Sequence, residues 1–306
     1  MGVKFLKNYI NANCIGVRKC NLNEFSNKRI VVDASIYLYK YKGQQMLVNG
    51  IINLIGLFAE HNISPVFVFD GKPKHAKRDE LIKRKTEKIN AWQQLKALQS
   101  QGLTDETLQM KSTRVSKADI NTVKNILDRL GVLYIDALYE ADEVCAMLML
   151  HNQVDVCLSD DTDMFVFGCN TVMRELSPDG MGKVYNLNKI LFSMNMNFQT
   201  FKQLCIISGN DYYKSDKNLY YYINLYKKCP PFCNFYEWLY NHGHIKDYES
   251  LKQAFNHYEL EPYLDQYKIL YVSSIRHLTE QINLSSNDRF CLLKMLAHVP
   301  LEIEVC

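Results

Sequence analysis

The sequence lacks any apolar run near the roughly 18 residues that a membrane-spanning helix requires, so we expect no membrane association. It also lacks a strong charge of either sign: the net charge is +3, so any surface for nucleic acid must be local. Its ten cysteines form no paired framework and follow no secretory signal, so we expect reduced thiols in an intracellular protein, nuclear or cytoplasmic. The 306 residues allow one large or two small domains with a substantial core.

The most informative stretch is the pentapeptide at residues 159–163, which places three carboxylates directly after an apolar strand predicted at 154–158. Like charges this close repel each other and call for a counter-charge. Asp161 and Asp163 are two residues apart, so both can reach one small cation. Because the available ligands are oxygens, Mg²⁺ or Mn²⁺ is favoured over Zn²⁺. For this pentapeptide alone, a solvated acidic turn is the alternative.

The same order of a buried strand followed by an acid recurs in the N-terminal part of the chain. Residues 29–32 lead into Asp33, and residues 65–69 lead into Asp70. Helical patterns follow at 34–39 and 48–60. Strands that alternate with helices predict an α/β fold with a mostly parallel central sheet and helices on both faces. In such sheets, sites form at the carboxyl ends of the strands.

Further elements are predicted from apolar periodicity along the rest of the chain. The strands are expected at 132–135 and in a strand–turn–strand unit over 171–186. The helices are expected at 2–10, 119–130, 144–150, 198–208, 235–241, 247–258, 262–271 and 287–297.

Three more acids lie at helix ends. Glu140 and Asp142 fall in the first turn of the helix that continues over 144–150, where negative charge is favourable, so helix capping is their alternative explanation. Asp211 follows the helix at 198–208, and its alternative is a simple turn residue.

Residues 72–88 are strongly basic, with eight Lys and Arg residues against three acids. A helix over 77–98 would place Lys77 and Arg84 on one face. Such a run attracts phosphates, and a solvated helix face is its alternative. The polar residues 99–116 suggest a mobile excursion, so we interpret 77–116 as an insertion over the sheet edge.

Seven acids therefore fall at strand ends or helix ends that would share one edge of the sheet. So many carboxylates would repel each other strongly without bound cations. Two divalent ions roughly 4 Å apart would neutralise this charge, activate a water and stabilise the leaving oxygen in phosphodiester hydrolysis. Lys77 and Arg84 would then hold the scissile phosphate. The seven acids are Asp33, Asp70, Glu140, Asp142, Asp161, Asp163 and Asp211.

Six short motifs lie in order along residues 1–212: MGV at 1–3, VDAS at 32–35, VFDGKP at 68–73, IDALYEAD at 135–142, DTD at 161–163 and LCIISGNDY at 204–212. In order and spacing they resemble those of the structure-specific 5′ nucleases of the flap endonuclease type, the XPG/FEN family. The resemblance implies a PIN-like 5′ nuclease core in which the seven acids are the metal carboxylates, direct or through water. Two Mg²⁺ ions would be bound, and Mn²⁺ could replace them. Asp142 stands where relatives usually have Glu.

The resemblance also implies roles for other residues. Lys77 and Arg84 match two catalytic basic positions, and Tyr39 matches an aromatic residue that stacks on a base near the cleavage site. Gly2 matches a residue that lies near the metals. Residues 77–116 would form a helical gateway and arch for a 5′ single strand. The remaining basic positions expected to bind DNA are Lys72, Lys74, Arg78, Lys83, Lys85 and Lys88.

Two departures separate this chain from the family. Relatives follow the last Asp with a glycine-bearing helix–two-turn–helix that grips duplex phosphates around K⁺, whereas residues 212–242 contain no glycine. The sequence therefore gives no support for bound K⁺, and the DNA-binding element is expected to be degenerate. Residues 300–306 lack the aromatic box with which many relatives dock on the sliding clamp PCNA. We expect a divergent member, with a large DNA virus, and hence infected-cell cytoplasm, among the candidate sources.

The resulting expectation is a nuclease core over 1–212, with the gateway insertion, and a helical C-terminal region over 213–306. As a monomer it would act on DNA with a 5′ flap, nick, gap or free 5′ end in replication, repair or recombination. It would combine flap endonuclease and 5′–3′ exonuclease activity. Two alternatives stay open: a PIN-like ribonuclease, against which the basic insertion and later acids argue, and a non-catalytic DNA-binding scaffold, in which some carboxylates would be expected to be lost.

Overall fold

A computed structural model of the chain describes residues 2–231 and 233–260. Its centre is a seven-stranded sheet with the strand order β1-β7-β6-β5-β2-β3-β4. The strands are β1 (Val17–Asn21), β2 (Arg29–Asp33), β3 (Ser64–Phe69), β4 (Leu133–Asp136), β5 (Val156–Leu158), β6 (Thr171–Arg174) and β7 (Met181–Asn186). Strands β2 to β6 pair in parallel, and β7 pairs antiparallel with β6 and β1. The mostly parallel α/β fold is confirmed.

Helices surround the sheet, and most of them match helices predicted from the sequence. They are α1 (Leu6–Asn13), α2 (Ala34–Gly43), α3 (Leu47–Glu60), α4 (Arg78–Gln99), α5 (Glu106–Ser112), α6 (Lys117–Arg129), α7 (Ala141–Leu150), α8 (Asp163–Phe167), α9 (Leu187–Met194), α10 (Phe198–Ile207), α11 (Leu219–Tyr226), α12 (Phe235–Asn241) and α13 (Tyr248–Asn256). Short 3₁₀ helices occupy Leu22–Phe25 and His75–Lys77. In the part of the chain that the structure describes, no helix combines the length and apolarity needed to cross a membrane.

The central strands are buried on both faces because their apolar residues alternate between two cores. Val31, Val66 and Val68 belong to one core, whereas Ile30 and Phe67 belong to the other. Side chains of successive strand residues point to opposite faces, so a strand covered on both sides is apolar at every position. The continuous apolar runs of β2 and β3 follow from this burial.

The strand order explains how distant acids come together. Strand β2 lies between β5 and β3, and all three run in parallel. Their carboxyl ends therefore meet at one edge of the sheet, with Asp33 in the middle. The segment after β5, which carries Asp161 and Asp163, lies to one side, and Asp70, directly after β3, lies to the other. We call this place the acidic edge.

Residues 99–116, interpreted from the sequence as a polar, mobile excursion, contain helix α5. Asp105 caps this helix, and its side chain accepts a hydrogen bond from the Leu108 amide at 2.9 Å. The Gln109 side-chain amide donates to the Gly43 carbonyl at 2.8 Å, and α5 packs against both α4 and α2. Strand β1 and helices α8, α9 and α11 were also not predicted from the sequence.

The C-terminal helices share a core with the sheet. Leu219, Ile223, Phe235 and Leu251 are buried in the same cluster as Phe201 of α10. The expected division at residue 212 therefore does not separate two hydrophobic cores. The helices predicted at 262–271 and 287–297 and the segment 300–306 lie outside the described residues.

The buried ring of Phe67 provides a test of this packing. Phe67 is fully buried on the central strand β3, so Phe67→Ala should lower the free energy of unfolding by about 3–5 kcal/mol through lost contacts and a cavity. Phe192→Ala is the matched control, because that ring is 80% exposed, and the change should stay within about 0.5 kcal/mol. Chemical denaturation measures both. Equal effects of the two substitutions would contradict the fold.

Candidate active site

Asp33 is the centre of the acidic edge. It ends β2 and caps α2, where its Oδ1 accepts a hydrogen bond from the Ser35 amide at 3.1 Å. Its Oδ2 accepts from the Ser159 hydroxyl at 3.2 Å. Burial, followed by the charges of Asp70 and Asp161, raises the pKa of Asp33 to about 8. This carboxylate needs a positive neighbour to be ionised easily at neutral pH.

Asp70 joins β3 to the start of α7. Its Oδ1 accepts a hydrogen bond from the Ala141 amide at 2.8 Å, and its Oδ2 accepts from the Ser35 hydroxyl. The Ser35 side chain thus bridges to the carboxylate of the neighbouring strand while its amide binds Asp33. These bonds fix the relative positions of the β2 and β3 ends.

Glu140 and Asp142 bring the start of α7 to the same edge. Glu140 occupies the N-cap position, but its side chain makes no capping hydrogen bond. Its Oε2 instead accepts from the Lys77 ammonium at 2.6 Å and the Tyr212 hydroxyl at 3.0 Å. Burial and repulsion from Asp161 and Asp33 hold the pKa of Asp142 well above its usual range. Side-chain capping therefore does not account for Glu140.

Asp161 lies in the turn that leads into α8, and Asp163 is the first residue of that helix. The Ser159 hydroxyl accepts a hydrogen bond from the Asp161 amide at 3.1 Å, and Asp161 Oδ1 accepts from the Asp163 amide at 3.0 Å. Asp163 is buried, and its Oδ1 has no hydrogen-bond partner. Burial and the Asp161 charge raise its pKa well above the ordinary value. A buried acceptor without a partner costs free energy, so this oxygen is suited to a cation.

Gly2 reaches the Asp161–Asp163 turn from the other end of the chain. Its backbone has φ +82°, and a Cβ there would lie 2.6 Å from Asp163 Oδ1 and closer still to Asp161 Oδ1 and Thr162 Oγ1. Only a residue without a side chain fits this close approach and this left-handed backbone. The structure thus brings the predicted Gly2 position into contact with the acids.

Lys77 and Arg84 lie over the acidic edge on the predicted basic segment. Lys77 Nζ is 2.6 Å from Glu140 Oε2 and 3.5 Å from Asp211 Oδ2, and Arg84 Nη2 is 2.8 Å from the same Asp211 oxygen. Burial is the largest single influence on the pKa of Lys77 and lowers it, but the combined charges of Glu140, Tyr212 and Asp142, with the hydrogen bond to Glu140, hold that pKa above its ordinary value. Both side chains are therefore fully charged, and both are aimed at the acids.

The other basic residues predicted to bind DNA differ in their exposure and contacts. Lys74 contacts the buried Glu143 and is only 14% exposed, so its ammonium lies against α7 instead of in solvent. Lys88 Nζ lies 4.1 Å from the centre of the Tyr39 ring, which is 39% exposed. The exposed members are Lys72, Arg78, Lys83 and Lys85.

The acidic edge fits a divalent cation by its donors. Every candidate ligand is a carboxylate oxygen, which suits a hard ion, and the acids raise one another's pKa. Within residues 2–231 and 233–260, no three His, Cys, Asp or Glu side chains converge closely enough to form a ready-made chelate. The carboxylates instead bind hydroxyl, amide and ammonium groups.

Sequence reasoning missed four polar side chains that hold the acids. Ser35, Ser159 and Tyr212 stand inside or beside the quoted motifs, so their proximity was a usable signal. Tyr258, whose hydroxyl donates to Asp163 Oδ2 at 2.9 Å, is 95 residues away in the chain and had no such signal. Fold and site together define the class of α/β proteins in which a parallel sheet carries a carboxylate cluster at its strand ends.

Comparison with known proteins narrows this class. Residues 1–91 match the XPG N-terminal domain, and residues 131–211 match the XPG I-region. The chain therefore belongs to the XPG/flap endonuclease family. Flap endonuclease 1 of Homo sapiens is 30% identical over 224 residues, which cover 66% of this chain and 59% of that protein. The chain thus spans less than two thirds of this relative's length.

Solved structures share the fold. The catalytic core of Rad2 in complex with a DNA substrate has a TM-score of 0.60 and 25% identity, over 84% of this chain and 77% of that one. Flap endonuclease-1 from Methanococcus jannaschii has a TM-score of 0.58 and 15% identity, over 96% of this chain and 98% of that one. At such low identity, the second likeness shows the fold alone.

The Gly2 contact can be tested by substitution. Gly2→Ala should lower the free energy of unfolding by about 1–3 kcal/mol, because a Cβ would strain the backbone and press on the acidic turn. Gly56→Ala is the matched control: this glycine lies in α3 with open space around its Cβ position, and alanine there should add about 0.5–1 kcal/mol. Thermal and chemical denaturation measure both variants. A neutral Gly2→Ala would contradict the contact.

Proposed function

We propose that this protein is a structure-specific 5′ nuclease that hydrolyses DNA phosphodiester bonds with divalent cations, as a 5′ flap endonuclease and 5′–3′ exonuclease in replication, repair or recombination. The observation that carries the proposal is the meeting of carboxylates from five parts of the chain beneath two cationic side chains. The family membership and the Flap endonuclease 1 relative support it. The Rad2 core, solved with a DNA substrate, supports DNA as the substrate class.

The seven acids would hold two Mg²⁺ ions, for which Mn²⁺ can substitute. When bound, these ions would supply a polarised water and compensate the negative charge that develops on the leaving oxygen. Asp163 Oδ1 is the best-prepared ligand atom, because it is buried and has no hydrogen-bond partner. Asp33 is central among the others, since its pKa responds to both Asp70 and Asp161.

Lys77 and Arg84 would bind the scissile phosphate. Both belong to one continuous helical segment, since Lys77 ends a 3₁₀ helix that continues directly into α4. In the described structure their positive charges neutralise Glu140 and Asp211. An entering phosphate offers the same kind of oxygen acceptor, so the two side chains can contact it without leaving the acidic edge.

The DNA strand would reach the acids beneath α4 and α5, the predicted gateway. The exposed Lys72, Arg78, Lys83 and Lys85 make the approach positive, which attracts the phosphate backbone without reading its sequence. Tyr39 offers a partly exposed ring for a base to stack on, and the Lys88 ammonium lies over one face of that ring.

A panel of labelled substrates tests the proposal. With Mg²⁺ or Mn²⁺, we expect cleavage of 5′-flap, nicked and gapped DNA, and loss of cleavage in EDTA that added Mg²⁺ restores. Single-stranded RNA and Holliday junctions serve as alternatives in the same panel. Preferred cleavage of RNA would indicate a PIN-like ribonuclease, and DNA binding without cleavage in either cation would indicate a scaffold.

Two substitutions separate chemistry from binding in that panel. Asp161→Asn and Asp163→Asn each keep the side-chain shape but remove a negative charge, so cleavage should fall to background while DNA binding survives. Asp128→Asn is the control, since Asp128 is exposed on α6 and away from the acidic edge. Full cleavage by both Asp161→Asn and Asp163→Asn would rule out a catalytic role for these two acids.

The basic pair makes a second functional prediction. Lys77→Ala and Arg84→Ala should each reduce single-turnover cleavage about 100-fold, because each removes a charge that stabilises the phosphate in the transition state. Lys96→Ala removes one charge from the exposed face of the same helix and should leave the rate within about 2-fold, as expected for a rim charge. Equal losses in all three variants would instead point to general electrostatic attraction.

A further inference from the structure

The segment after α13 reaches the acidic edge from the C-terminal helical region. Tyr258 is buried there, with 2% exposure, although it follows the last described helix. Its carbonyl accepts a hydrogen bond from the Lys202 ammonium at 2.9 Å, which ties the segment to α10. Its ring lies 5.1 Å from that of Phe167 and 5.5 Å from that of Tyr212. Tyr258 is therefore held on several sides.

The Tyr258 hydroxyl contacts one specific atom of the acidic edge. It donates to Asp163 Oδ2 at 2.9 Å, whereas Asp163 Oδ1 has no hydrogen-bond partner. An aspartate carboxyl group rotates broadly about its last torsion, so anchoring one oxygen fixes the direction of the other. Oδ1 is directed toward the position where Gly2 and Asp161 meet.

A second tyrosine acts on another acid beside it. The Tyr212 hydroxyl donates to Glu140 Oε2 at 3.0 Å, and its ring stacks on that of His257 at 4.5 Å between centres. Residues 257 and 258 thus reach two acids, one through Tyr212 and one directly. The C-terminal region contributes to the arrangement of the acidic edge although it carries none of the predicted carboxylates.

We propose that Tyr258 is a positioning residue, whose hydroxyl orients the Asp163 carboxylate so that Oδ1 is presented to a divalent cation. The inference rests on the proposed function, since it assigns a role to the cation-binding acids. Groups that orient metal ligands through hydrogen bonds commonly change metal affinity when they are removed. Tyr258 does not itself contact the substrate in this scheme, so its effect passes through Asp163.

Tyr258→Phe tests the role because it removes only the hydroxyl and keeps the buried ring. We expect Mn²⁺ binding, measured by calorimetry on the full chain, to weaken by about 10-fold or more. The Mn²⁺ concentration for half-maximal flap cleavage should rise by a similar factor, and excess Mn²⁺ should restore cleavage. Asp163→Asn provides the reference, in which excess Mn²⁺ should not restore the rate.

Tyr185→Phe is the matched control for packing and stability. Tyr185 is also fully buried, and its hydroxyl donates to Asn11 Oδ1 at 2.9 Å, away from the acids. Each variant loses one hydrogen-bonded hydroxyl from a buried ring, so thermal unfolding should show a similar small drop for both. Mn²⁺ binding by Tyr185→Phe should match that of the unchanged chain.

The outcomes separate the two proposals. If Tyr258→Phe binds Mn²⁺ as the unchanged chain does while Asp163→Asn binds it weakly, the positioning role is overturned and the proposed function stands. Weakening of equal size in Tyr258→Phe and Tyr185→Phe would also overturn it, since the cause would then be general destabilisation. If the unchanged chain binds no Mn²⁺ and cleaves no DNA, both proposals fail.

Discussion

Mutual repulsion among carboxylates is the constraint on which the rest of the structure depends. Asp33, Asp142 and Asp163 are held where burial and neighbouring acids raise their pKa values, a placement that costs folding free energy. The molecule offsets this cost in two ways. Serine and tyrosine hydroxyls anchor individual oxygens, and the cations of the 3₁₀ helix and α4 lie directly over Glu140 and Asp211. The carboxylates and the two cationic side chains therefore stabilise each other.

Because of this pairing, the basic segment has both a solvent-exposed side and a side that forms ion pairs with the acidic edge. A basic run is often a solvated surface, and the exposed Lys83 and Lys85 fit that description. Lys77 and Arg84, on the inner side, are instead partly buried ion-pair partners of the acidic edge. Lys74, predicted to bind DNA, contacts Glu143 and joins the start of the segment to α7. The same stretch therefore both covers the acidic edge and presents exposed basic side chains to solvent.

The sequence predicted most of what depends on local pattern. Buried strands followed at once by an acid are visible without a structure, so Asp33 and Asp70 were assigned to strand ends correctly. Features set by distant partners were not visible. Strand β1 is short and carries charged side chains, and only its pairing with β7 makes it a strand. Tyr258 belongs to an ordinary amphipathic stretch, and nothing in its neighbourhood points to an aspartate 95 residues earlier.

The edge pairing of β1 with β7 has a consequence for how the polypeptide matures. Residue Asn21 of β1 is synthesised 160 residues before Met181, its partner on β7. The nascent chain must therefore carry β1 unpaired while the intervening residues are made, a condition that slows folding and exposes the strand to wrong partners. Arg18 and Lys19 on that strand supply charge where an unpaired edge would otherwise invite aggregation.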